Sequence, residues 1–283
     1  TAKSNGIPLT HAALVLPSTE VFTRELVMPA MTEQQLLYNL PYEFRDYLTE
    51  EKNKYFFDYS MREVLRDESG HPTEMNLLAC ATLKSTVESY RAMLRRAGFR
   101  LRVLTPSECA YSAVLQAYYR RTQQEGRDLC VVNLGHSATF LYIYRGGRFA
   151  SRREIEVGMS DLEHLVADQC SVDVHVAHEY VRQNYNHVLE SEQARELYGR
   201  IAVEVVKAVN FFNYNNRERE LTQLCLCGGG SAIQPLYDTI ADTTGMTLHT
   251  SAELLGQRMS TEEPWMYLRA IGGVDLGIKG GLR

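Results

Sequence analysis

The stretch LCLCGGGSAIQPL, residues 224–236, runs an apolar strand into three glycines and a serine, then into a helix. Glycines lack Cβ atoms, so backbone can approach a ligand closely, and a helix N-terminus favours an anion or a polar ring edge. The stretch lacks the lysine of a Walker A loop and the spacing of a dinucleotide fingerprint. A plain tight turn would use the same residues. A second cluster, NLGHSAT at 133–139, places Asn133, Gly135, His136, Ser137 and Thr139 inside the hairpin 128–157. The turn of that hairpin is already supplied by Arg145-Gly146-Gly147-Arg148, so the cluster needs another explanation. A strand ending in Asn-x-Gly and continuing through Ser and Thr can bend around phosphates, offering N–H groups and hydroxyls to oxygen. The two glycine loops lie about a hundred residues apart and could grip opposite ends of one nucleotide.

Other chemistry is thinner. Arg200, Glu204 and Lys207 share a stripe of a long helix at i, i+4 and i+7, the spacing of a solvated charged face. His175 and His178 stand three apart with Asp173 nearby and His187 beyond, short of a convergent metal-ligand set. No Gly-x-Ser-x-Gly elbow occurs, so hydrolase chemistry has no support. None of the six cysteines forms a Cys-x-x-Cys pair, and most sit in apolar runs as small buried hydrophobes. A reducing compartment fits them best.

The elements that must hold these residues alternate between strand and helix. HAALVLPSTEVFTRELVMP (11–29) reads as two short strands broken at Pro17-Ser18. Thr32 and Gln35 form a capping box for the helix TEQQLLYNLPYEFRDYL, which Pro41 should kink. KYFFDYSMREVL and EMNLLACATL are strands joined by the turn-rich RDESGHP. A helix ending at Gly98, a strand at 99–104 and a helix starting after Pro106 follow. Beyond the hairpin come helices near 159–170 and 173–184, then a long one over 191–216 with Leu197, Ile201, Val205, Val209 and Phe212 at helical spacing. The pattern predicts an α/β chain with mixed strands. Its tail, LRAIGGVDLGIKGG, is too glycine-rich for an amphipathic membrane helix.

At 283 residues the chain can form one large domain or two medium ones. A hydrophobic content of 45% and a charged content of 23% are ordinary for a globular protein. The net charge of −5 argues against a nucleic-acid binder, and the basic run RAMLRRAGFRLR (91–102) reads as a solvated helix face and an edge strand. No apolar run is long enough to span a bilayer, and no signal peptide opens the chain, which begins at Thr1 as a processed protein or a fragment would.

The order of these parts resembles the actin-like ATPase superfamily, and within it the PilM-like type IV pilus assembly proteins, relatives of the cell-division protein FtsA. The segments that carry the resemblance are VVNLGHSATFLYIYRGGRFASRREIEVGMSDL, YGRIAVEVVKAVNFFNYNN, LCLCGGGSAIQPL, ELVMPAMTEQQLLYNLPYEFRDYL and GFRLRVLTPSECAYSAVLQAY, spread over about residues 12–278. It implies an actin-like (ribonuclease H-like) fold with two halves and a small inserted α/β subdomain. The implied division is 1–27 with 105–127 as a remnant of the first half, 28–104 as the small subdomain and 128–283 as the second half. It implies that Asn133, Gly135, Ser137 and Thr139 form a second phosphate loop. Glu204 and Lys207 would face the nucleoside, and Gly228, Gly229, Gly230 and Ser231 would form the adenosine loop. Ser107 or Glu108 falls where a residue orienting attacking water would stand. The implied ligand is ATP or ADP with Mg²⁺. The implied partner is the cytoplasmic tail of an inner-membrane pilus or secretion protein, bound between the first half and the small subdomain, with self-association a further possibility. The implied location is cytoplasmic, peripheral to that membrane through the partner.

Three departures qualify the resemblance. Asn133 stands where the family has an aspartate, which removes a hard anionic oxygen from the magnesium shell. His136 replaces a tiny residue and could crowd the loop. No aspartate precedes Asp46, so the Asp-x-Gly phosphate loop that opens the family is absent, by truncation, loss or omission. Phosphoryl transfer depends on positioning and electrostatics, so negligible ATP hydrolysis is expected. The rival readings are a sugar or acid kinase, an FtsA-like filament protein and a nucleotide-free interaction module.

Overall fold

A computed structural model describes residue 6 and residues 11–124, 126–217, 219–256 and 262–279. The chain divides into two units, residues 1–110 with 273–283 and residues 111–272.

In the first unit, β1 (His11–Leu16) pairs in parallel with β5 (Arg100–Pro106), while β2 (Phe22–Pro29), β3 (Tyr55–Arg66) and β4 (Pro72–Leu83) form an antiparallel sheet in the order β2-β4-β3. Period-2 alternation sends Leu26, Met28, Met75, Leu77, Ala79 and Ala81 to one face. There they bury against Leu36, Leu40 and Phe44 of α1 (Glu33–Glu43) and its C-cap. The expected Thr32–Gln35 capping box is present, with Gln35 N–H donating to Thr32 Oγ1 at 3.3 Å and Thr32 N–H to Gln35 Oε1 at 3.0 Å. The helix is shorter than its apolar pattern suggests, ending at Glu43, two residues after Pro41. A proline lacks the N–H that would continue the ladder, and the following residues turn instead. α2 (Lys84–Arg96) packs beside β4 and β5.

Pro264–Lys279 is a helix, α9, despite its three glycines. A Cβ on Gly273 would lie 2.8 Å from Val15 Cγ2 of β1, so the residue is small because a strand lies against it.

In the second unit, five strands take the order β10-β9-β6-β7-β8. β6 (Leu129–Leu134), β7 (Thr139–Arg145) and β8 (Arg148–Ile155) form an antiparallel meander, and β9 (Gln223–Cys227) and β10 (Thr247–His249) run parallel to β6. The single hairpin expected over 128–157 is therefore two consecutive hairpins, and residues 135–138 are themselves the first turn. Both faces of the sheet are covered, which explains the unbroken apolar runs of β6 and β9. Cys130, Val132, Leu134, Leu224 and Leu226 face α4 (Met159–Cys170), α6 (Glu192–Asn215) and α7 (Gln234–Thr244) in one core. The intervening residues face α3 (Ser107–Thr122) and α8 (Ser251–Leu255): Tyr111 lies 5.1 Å from the Tyr142 ring, and Cys225 lies beside Ser251. All five residues picked from α6 by periodicity are buried, each side chain contributing about 1.5–3 kcal/mol. α5 (Val174–Gln183) packs on α4.

Candidate functional site

The two glycine loops of the second unit meet. Gly228 has φ of +82°, and a Cβ there would fall 2.5 Å from Asn133 Oδ1 and 2.7 Å from the Leu134 carbonyl oxygen. Gly230 is equally tight against Leu134 Cβ and Met159 Sδ. Gly158, between β8 and α4, has even less room: its Cβ would stand 2.3 Å from the His136 carbonyl oxygen and 2.6 Å from Ala138 N. Gly229, by contrast, faces open space, with no atom within 4 Å of a Cβ. Gly158 and Gly228 are thus explained by backbone closing on them and Gly230 by packed side chains, and Gly229 opens a surface.

The 135–138 turn is pinned from behind. Met159 N–H donates to the Gly135 carbonyl at 3.0 Å and Ser160 N–H to the His136 carbonyl at 2.8 Å, while Gly135 N–H is taken by Asn133 and Ala138 carbonyls. Among the described residues no hydrogen bond engages the N–H groups of His136, Ser137 and Ala138, or those of Gly229 and Gly230. Successive backbone donors in a turn are the kind of group that can bind an anion when their conformation makes a concavity.

Beside this junction a groove of about 890 Å³ runs along α6, lined by Val157, Leu165, Gly199, Arg200, Glu204 and Lys207 among others. Val157 ties the groove to the loop, because its carbonyl accepts the Thr139 hydroxyl at 2.9 Å and Gly158 follows it. Gly199 opens the groove floor, with no atom within 4 Å of a Cβ. Sequence reasoning passed over Gly199, although a glycine amid strong helix formers in α6 was a signal.

The side chains expected at the site divide by what already occupies them. Ser137 is exposed and Asn133 half-buried beside Cys227. Thr139 is fully buried with its hydroxyl on Val157, and Ser231 gives its hydroxyl to the Gly228 carbonyl at 2.7 Å, so both brace the loops. Lys207 Nζ donates to Glu204 Oε1 at 2.7 Å at the rim of the groove. Ser107 and Glu108 belong to the first unit and are fully buried, and Ser107 donates to the Leu16 carbonyl at 3.2 Å. His136 reaches α4, its Nδ1 lying 3.8 Å from Glu163 Oε1, and His178 Nδ1 comes within 2.8 Å of the same oxygen. Nothing in the sequence marked the buried Glu163 as their shared partner. Asp173 caps α5 by accepting from His175 N–H at 2.8 Å. Among the described residues no three His, Cys, Asp or Glu side chains converge as metal ligands.

The first unit offers a second surface. The face of β2-β4-β3 away from α1 carries Thr23, Glu25, Asp58, Asn76 and Cys80, and Thr23 Oγ1 and Asn76 Oδ1 are buried there without a hydrogen-bond partner. Cys80 lies close to Cys109 and Glu108 at the start of α3, and burial pushes its thiol up to about 12.

The five-stranded sheet of the second unit, in this order and with two glycine loops meeting at the ends of β6 and β9, belongs to an actin-like ATPase fold. Solved structures support that class. The chain superposes with a TM-score of 0.73 on a structure described as the PilM-PilN type IV pilus biogenesis complex, at 19% identity, covering 94% of this chain and 78% of that one. It also superposes on the ethanolamine utilization protein EutJ from Carboxydothermus hydrogenoformans, with a TM-score of 0.50 and 14% identity, covering 69% of this chain and 62% of EutJ. No curated protein matches the sequence. The family described as Type IV pilus assembly protein PilM matches residues 1–263, and the chain belongs to it. No described helix is long and apolar enough to cross a membrane.

Proposed function

We propose that this chain is an actin-like scaffold of type IV pilus assembly that binds an adenine nucleotide as a conformational ligand. The observation that carries the nucleotide reading is that the two glycine loops touch, Gly228 against Asn133 and Leu134, and that in each of them backbone N–H groups (His136 to Ala138, Gly229 and Gly230) make no hydrogen bond among the described residues. Backbone donors on two touching loops suit phosphate oxygens, since the loops are held by close packing rather than by flexible surface side chains. The groove that starts at Val157 gives the nucleoside a place beside them, with Gly199 as an open floor and Glu204 and Lys207 at the rim. Binding there shifts the protein between conformations by the difference in affinity for each.

The residues present do not fit a protein-held magnesium shell. Asn133 offers a neutral amide, the Thr139 hydroxyl is committed to Val157, and no acidic cluster stands among the described residues. Magnesium would arrive on the nucleotide, held by phosphate oxygens and water. Hydrolysis is negligible on this reading, because neither Ser107 nor Glu108 has a free hydroxyl or exposed carboxylate to orient water. Magnesium-dependent phosphate release above the buffer rate would contradict that.

For a partner, the reading is a tail of an inner-membrane pilus protein of the PilN kind, seated on the polar face of β2-β4-β3 and placing the chain at the cytoplasmic side of that membrane. The buried Thr23 and Asn76 oxygens support it, since unmade hydrogen bonds there cost about 1–3 kcal/mol until a donor arrives. The test of the whole proposal is nucleotide binding by calorimetry together with binding of a synthetic partner tail. A tail that binds equally to wild type and to a Thr23→Val/Asn76→Leu variant would remove the partner half. A chain that binds the tail but never nucleotide would be an interaction module alone.

A further inference from the structure

The far end of the second sheet carries an arrangement that neither the loops nor the groove uses. The β7–β8 turn consists of Gly146 and Gly147, both at positive φ, and it sets Arg145 directly opposite Arg148. Like charges directly opposite across a hairpin repel. Arg219 enters from the segment after α6, and the three guanidiniums line a cavity of about 570 Å³ with Gly146 and Asp128. Asp128 is buried, its Oδ1 accepting Gly146 N–H at 3.2 Å and lying 3.5 Å from Arg219 Nη1, while Arg145 Nε stops 3.8 Å from Oδ2. Both Asp128 Oδ2 and Arg145 Nε are buried and make no hydrogen bond. Arg145 is held in place by stacking over Phe212, 5.5 Å from the ring centroid. Arg148 makes no hydrogen bond or ion pair among the described residues, and exposed Arg127 adjoins the same turn through its carbonyl bond from Gly146 N–H. Asp128 thus faces Arg145 and Arg219 but not Arg148, and among the described lining residues one carboxylate stands against three guanidiniums, an excess of two formal positive charges.

We propose that this cavity binds a phosphate group, free or on a lipid headgroup, at a site separate from the glycine loops. Planar guanidinium forks match phosphate oxygens in pairs, and a charge of about −1.5 to −2 matches the excess. β6 separates the two places, since Asp128 precedes it and residues 135–138 follow it, about 20 Å at strand rise. The anion relieves the Arg145–Arg148 repulsion and supplies Arg145 Nε with an acceptor.

The test is a titration of the ¹⁵N-labelled full chain with inorganic phosphate at fixed ionic strength, following the Gly146 and Gly147 amides. Saturable shifts with phosphate, absent with chloride, are expected. Arg148→Ala and Arg219→Ala should each weaken binding about tenfold, and Gly229→Trp, which alters only the glycine loop, should leave it intact. Glu125, two residues before Arg127, and Glu218, next to Arg219, lie outside the described residues. Their joint change to Gln should keep or tighten binding. Sedimentation with vesicles of phosphatidylglycerol in phosphatidylcholine, against phosphatidylcholine alone, separates the sources: Arg148-dependent pelleting assigns the headgroup, and amide shifts without pelleting assign free phosphate. No shift and no pelleting, binding indifferent to both arginine variants, or a response to a polyglutamate peptide but not to phosphate would each overturn the proposal.

Discussion

At the scale of single residues, the glycines of the second unit are not interchangeable, and the reason is distance. Gly158→Ala must push apart backbone atoms 2.3 to 2.6 Å away, which flexible side chains cannot relieve. It should cost about 1–3 kcal/mol, read as a lower urea midpoint. Gly228→Ala adds a positive φ to a 2.5 Å contact and should cost at least as much. Gly229→Ala meets nothing and should stay within about 0.5 kcal/mol of wild type. Burial likewise sets the thiols. It pushes Cys80 up to about 12 and Cys109 and Cys227 to about 11. These thiols should resist iodoacetamide at about pH 8 while the fold is intact, where an unfolded thiol with its value near 8.5 would react. The sign of the linkage follows: a raised folded value gives stability that is complete below the unfolded value and is lost as pH rises through the folded one. The protein should therefore weaken progressively above about pH 8.5–9, as urea melts at rising pH would record. The residue types at the loops were legible, because glycine clusters stand out in one dimension. Their division into packing glycines and an open one was not, since it depends on which strand lies within 3 Å.

Elements were legible where period and caps agreed. The Thr32 box, the 55–83 strand pair and the buried stripe of α6 all follow from local sequence. Thr32→Ala should cost about 1 kcal/mol, checked by thermal melting. What failed was long-range. β10 has three residues, too few for periodicity, and exists because β9 offers it an edge. The tail helix is obscured in the sequence by its glycines, of which Gly273 lies against Val15 of β1. In the sequence, residues 135–138 read as the interior of one hairpin because Arg145–Arg148 supplies so plain a turn downstream. Within α6, Gly199 gives a separable prediction. Gly199→Ala should raise the helix's stability by about 1 kcal/mol, because no contact opposes it. Gly199→Phe should leave the fold intact and fill the groove.

For the whole molecule, membership of the PilM family and the actin-like fold stand on independent grounds, one in sequence and one in strand order. The class was readable because five motifs kept their order along the chain. No composition or spacing showed that two loops far apart in sequence share one junction through the parallel pairing of β6 with β9. The scaffold reading makes that junction a binding place rather than a turnover site, and it places partner and nucleotide on different units. The most direct measurement is calorimetric titration of ATP and ADP with magnesium into the wild-type chain and into Gly229→Trp, with circular dichroism to establish that the variant is folded. Micromolar binding to the wild type, lost in the folded variant, is the predicted result. Binding unchanged in Gly229→Trp, or absent from the wild type, would contradict it.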